Sequence, residues 1–81
     1  MKKHSEYPKE LLVPIEGQVY HLGRLTVNWS NSGFMVDIDI VSKETRKIFR
    51  SVKRLYNIED EQEAQDQAMY ILSNYLRNGS I

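Results

Sequence analysis

The stretch Arg46-Lys47-Ile48-Phe49-Arg50-Ser51-Val52-Lys53-Arg54 carries the most suggestive chemistry in the chain. Lysine and arginine neutralise phosphates, and an aromatic ring among them offers a face on which an unpaired base stacks. Phe49 supplies such a ring, and Tyr56 follows shortly after. Arg46, Lys47, Phe49, Arg50, Lys53 and Arg54 are therefore the candidate residues for nucleic-acid binding. A competing explanation is structural: on the edge strand of a sheet, lysine and arginine discourage pairing with another chain.

A second cluster has the opposite sign. Glu59, Asp60, Glu61, Glu63 and Asp66 fall within eight positions that contain no base. They could dock a basic partner or imitate the charge of a nucleic-acid backbone, and they also suit the positive end of a helix dipole. Further along, Tyr70 lies on the polar side of the same expected helix, where an aromatic has no packing role unless something covers it. Glu63, Gln67, Tyr70 and Asn74 thus form a candidate partner-binding surface.

The remaining reactive groups form no recognisable catalytic or metal pattern. Asp37 and Asp39 share one face of a strand, as a metal site or an acid–base pair would require, yet cross-strand pairing with Arg24 and with Arg50 or Lys47 accounts for both. His4 and His21 stand seventeen positions apart, without ligand spacing. There is no GxSxG and no GxxxxGK[ST], and the four glycines are isolated. With no cysteine, disulfides, thiolate nucleophiles and cysteine-bound zinc or iron–sulfur clusters are excluded, and a reducing compartment is the natural setting. No catalytic, cofactor-binding or metal-binding residue is expected.

These groups must be positioned by a small scaffold. Eighty-one residues with 41% apolar content suffice for one core and leave little for a large cleft, and 11 basic against 11 acidic side chains give no net charge. Neutrality itself weighs against a nucleic-acid role, since such domains are usually basic overall. It conceals segregation, however: residues 43–54 hold six bases and one acid, so the molecule should have two electrical ends. The longest apolar runs are only a few residues, and no hydrophobic signal region follows Met1, so neither a membrane span nor a secretory leader is expected and the cytoplasm is the expected location.

Residues 1–8 read as a flexible tail and 9–81 as one domain. Glu16-Gly17 predicts a two-residue hairpin turn that sets Val13 opposite Tyr20 and Leu11 opposite Leu22, with Pro14 marking an edge strand. Arg24–Trp29 and Phe34–Ile40 alternate polar and apolar about the turn cluster Ser30-Asn31-Ser32-Gly33. That register sets Trp29 with Phe34, Val27 with Val36, Leu25 with Ile38 and Arg24 with Asp39. Gly23 reads as a bulge or bend.

A third turn, Ser42–Thr45, leads into Arg46–Val52 in one of two registers. A symmetric turn puts Asp37 opposite Arg50 with Phe49 on the core face; a one-residue slip, slightly preferred, pairs Asp39 with Lys47 and buries Ile48 and Val52. A helix is predicted from about Glu59 to Arg77, capped by Asn57 or Asp60 and stopped by Asn78-Gly79, with Ala64, Ala68, Ile71, Leu72, Tyr75 and Leu76 as its buried stripe and Met69 at the border.

The fold class is α+β: a four-stranded antiparallel meander followed by one C-terminal helix across one sheet face. Such a sheet is roughly 15–19 Å wide and a helix only about 10–12 Å across, so one helix leaves an apolar strip that either the tail and loops or a second copy of the chain must cover, and a homodimer is a reasonable expectation. The functional expectation is a small cytoplasmic interaction or regulatory module that acts through surfaces, on itself and on an unknown protein partner. The alternative is a nucleic-acid-binding accessory protein that uses residues 46–54.

Overall fold

The computed structural model describes residues 7–78. Strands β1 (Lys9–Pro14), β2 (His21–Ser30), β3 (Gly33–Ser42) and β4 (Ile48–Ile58) pair antiparallel in the order β1-β2-β3-β4, and helix α1 (Glu61–Asn78) follows. The expected α+β architecture is what forms. Residues 1–6 of the expected tail and the Gly79 helix stop lie outside the described residues. Tyr7, assigned to that tail, is part of the packing: its ring meets Phe34 edge-on at 5.8 Å and its hydroxyl donates to Glu61 at 2.7 Å.

Alternation decides what the helix covers. Leu25, Val27, Val36, Ile38 and Ile40 point to one face and are sealed there by Ala64, Ala68 and Leu72, with Phe34 and Ile58 completing the core. Ile71, Tyr75 and Leu76 border the core as predicted, and Met69 is exposed. Asp60 is the cap: its carboxylate accepts from Glu63 N at 3.0 Å. Asn57, the other candidate, instead stands next to last in β4, in the left-handed region at φ 55°. No helix among the described residues is long and apolar enough to cross a membrane.

The β2–β3 hairpin has the predicted register throughout, from Ser30 opposite Gly33 to Arg24 opposite Asp39 and beyond. The first hairpin does not. Leu11 lies opposite Leu25 and Val13 opposite Gly23, so neither pairs with Leu22 or Tyr20. Glu16-Gly17 does turn the chain, with Gln18 N donating to Ile15 O at 3.1 Å and Gly17 at φ 81°, but residues 15–20 form a longer loop. The longer connection brings Leu11 into line with Leu25 on the core face. Gly23 is no bulge, for both its ladders run through it without a break. A Cβ there would stand 2.7 Å from Leu72 Cδ2, so the glycine makes room for the helix.

Both predicted registers of the third hairpin are wrong. Asp37 lies opposite Arg54 and Asp39 opposite Ser51, and the pairing slips three times between Phe34 and Val41, each slip adding one residue to β4. Val52 packs against the core as expected, but Ile48 is 53% exposed. Phe49, at 49% exposed, is not a core residue either.

Candidate binding surfaces at two charged ends

Topology sets the Lys43–Arg50 part of the basic cluster apart from the acidic cluster along a molecule 40 Å long, while Lys53 and Arg54 lie opposite the middle of β3. The β1–β2 loop and the β3–β4 turn lie at one end; the β2–β3 turn, the end of β4 and the start of α1 lie at the other. Because only Glu59 and Asp60 separate β4 from α1, the helix runs back along the sheet and carries its acids at the second end.

The five candidate cations do not act as one patch. Arg54 reaches over the helix-free face to Asp37, which accepts from its Nε and, at 3.2 Å, from its Nη2. That carboxylate raises the guanidinium pKa further above its ordinary value. Arg50 turns toward the helix, donates to Tyr75 Oη at 3.2 Å and places Cζ 5.6 Å from the Phe49 ring centre. Arg46, with φ 65°, turns back to donate to Lys43 O. Lys47 and Lys53 are exposed.

Three residues that sequence reasoning did not assign to a binding site join the basic end. His21 stacks on Phe49 with ring centres 4.4 Å apart and planes tilted by 48°. Tyr20 O accepts from Lys43 N at 2.8 Å, which ties loop to turn, while the Tyr20 side chain is 75% exposed. A depression between these segments is lined by Val19, Tyr20, Ser42, Lys43 and Glu44. Only the strand pairing makes neighbours of positions some twenty to thirty apart, so no local motif could have announced this group.

At the acidic end, Glu61 is tied to the N-terminal segment. It accepts from Tyr7 Oη and from Lys9 Nζ, each at 2.7 Å, and these bonds, the lysine's first, hold its carboxyl below the usual range. Tyr70 is 69% exposed, with Glu63 and Gln67 exposed beside it and Asn74 half-buried. Gln67 Nε2 donates to Glu63 at 3.0 Å and Arg77 Nη1 to Asn74 at 3.1 Å, so the polar residues on either side of Tyr70 are paired along the helix.

The helix-free face holds the remaining carboxylate chemistry. Asp39 is buried, and this desolvation raises its pKa against a hydrogen bond from Ser51 and the nearby guanidinium groups. Arg24 contacts Glu10 and Arg46 O, each at 3.4 Å. Asp37, Asp39, Ser51, Arg54 and Tyr56 line a shallow cleft, but among the described residues no three His, Cys, Asp or Glu gather to hold a metal ion. Compared with protein-family models, curated proteins and solved structures, the chain matches none of them.

Proposed function

We propose that the chain is a small cytoplasmic interaction module that acts through surfaces rather than catalysis and pairs weakly with a second copy of itself through α1. One observation carries the reading. Glu63, Gln67, Tyr70, Asn74 and Arg77 are spaced by four, three, four and three residues and form a stripe away from Ala64, Ala68 and Leu72. Helices pack along a seam at this spacing when its positions are apolar; here Tyr70 alone brings an apolar body and polar pairing must supply the rest. The stripe is also complementary to itself when reversed. An antiparallel second helix centred on Tyr70 brings Glu63 to Arg77 of the other copy and the two tyrosines together, with Gln67 one residue out of line with its Asn74.

A single helix pair buries an area at the low end for specific complexes, so a micromolar or weaker dimer is expected. Sedimentation equilibrium across a wide concentration range tests this. Tyr70→Ala should abolish association, Glu63→Arg and Arg77→Glu should each weaken it, and the double reversal should restore it. A wild-type chain that stays monomeric, or a double reversal as weak as the singles, would sink the proposal.

A further inference from the structure

We propose that the opposite, basic end of the sheet binds single-stranded nucleic acid, with bases stacked on Phe49 and Tyr20 and phosphates held by Lys43, Arg46, Lys47 and Arg50. This surface is separate from the helix stripe.

Three observations carry the inference. The first is composition in space. Four cations and two exposed rings lie at the same end of the sheet, and Glu44 is the one acid among Lys43–Arg50. Flexible cations alone recognise any polyanion; exposed aromatic faces beside them add recognition of unpaired bases. The second is support. The Phe49 ring is braced by His21 at 4.4 Å, and Arg50 stands 5.6 Å from its centre, where the guanidinium can meet a phosphate flanking a stacked base. Bracing keeps the ring from collapsing onto the sheet, so little order has to be gained on binding.

The third concerns the rival explanation, edge protection. β4 already has an edge unsuited to pairing with a regular strand, because three bulges interrupt it. Three of the cations, Lys43, Arg46 and Lys47, lie between β3 and β4 and not on a strand at all. Guarding the edge therefore does not explain them. A duplex is disfavoured as ligand, since its major groove admits a helix or a two-stranded ribbon and its stacked bases offer no face to Phe49 or Tyr20.

The test is calorimetric titration of the full chain with a short oligothymidylate, a duplex of equal length and inorganic polyphosphate, at low and near-physiological salt. Amide NMR spectra locate the contacts. The expected result is preference for the single strand, shifts at residues 19–21 and 43–50, and a log–log salt slope of about −3 for four phosphate contacts. Phe49→Ala and Tyr20→Ala should each weaken binding by about 5-fold to 150-fold, and Lys47→Glu should reduce the slope by about one. Tyr20 lies in an exposed loop, so its variant stays informative even if Phe49→Ala perturbs folding. Binding that is absent at low salt, stronger to duplex, equal for polyphosphate or indifferent to Tyr20→Ala would overturn the inference. Tyr70→Ala should leave oligothymidylate binding intact, so either proposal can fail without the other.

Discussion

Glu61 shows how one residue links the N-terminal segment to the helix. Its carboxylate collects the Lys9 ammonium and the Tyr7 hydroxyl, and a folded pKa held below the unfolded one makes the ionised form the stabilising one. That contribution is complete above the ordinary glutamate range and is lost as pH falls through the depressed folded value. Glu61→Gln should therefore reduce stability at neutral pH and flatten the acid limb of a stability–pH profile. A profile with an unchanged acid limb would show that the cluster adds nothing. Asp39 acts in the opposite sense, because its raised folded pKa disfavours ionisation in the native state as pH climbs. The pair Lys9–Glu61 was not legible in the sequence, for it depends on β1 bringing position 9 to the start of a helix more than fifty residues away. Tyr70, in contrast, was legible, since helical spacing alone places it away from the alanine-lined face.

Among the elements, the β2–β3 hairpin was readable because three independent signals agree on it: apolar alternation, a turn cluster and the Arg24–Asp39 pair. The flanking hairpins lacked that agreement. In the first, Gln18-Val19-Tyr20 imitates a strand, yet the register is set by the distant Leu25 and Gly23 that Leu11 and Val13 must meet. In the third, each bulge shifts the period of two on which reading a strand depends, so no single register could have been right. Gly33 links the readable hairpin to the unreadable one. It has φ 126°, and a Cβ there would stand 2.9 Å from Ile58 O, a backbone atom that cannot move aside cheaply. Gly33→Ala should cost about 1–3 kcal/mol or more in urea denaturation. A loss within about 0.5 kcal/mol, ordinary for surface sites, would contradict this crossing.

For the whole molecule, zero net charge is a sum over two unlike ends. A uniformly neutral surface would make solution behaviour insensitive to salt, whereas opposite ends attract in head-to-tail encounters that salt screens within a Debye length of about 10 Å at 0.1 M. Light scattering should therefore give a second virial coefficient that is lower at low ionic strength and rises as salt is added. A coefficient that falls with added salt would mean that like-charge repulsion dominates and that the segregation has no reach. Sequence already disclosed both clusters; the meander was needed to show that Lys43–Arg50 and the acids lie toward opposite ends of the sheet.

The chain has one tryptophan, and its position divides what light can report. Trp29 is next to last in β2, opposite Phe34 and near the turn at the acidic end, while the exposed Tyr20 and Phe49 stand at the other. Indole emission is thus a local gauge of the well-ordered hairpin and of the start of the helix. A ligand settling on the far rings should leave the tryptophan band in place, and it can quench only the share of tyrosine emission that Tyr20, one of five tyrosines, contributes; a shift of the tryptophan band would mean that the sheet itself had been bent. The single tryptophan thereby separates contact at the basic end from distortion of the sheet, without any label.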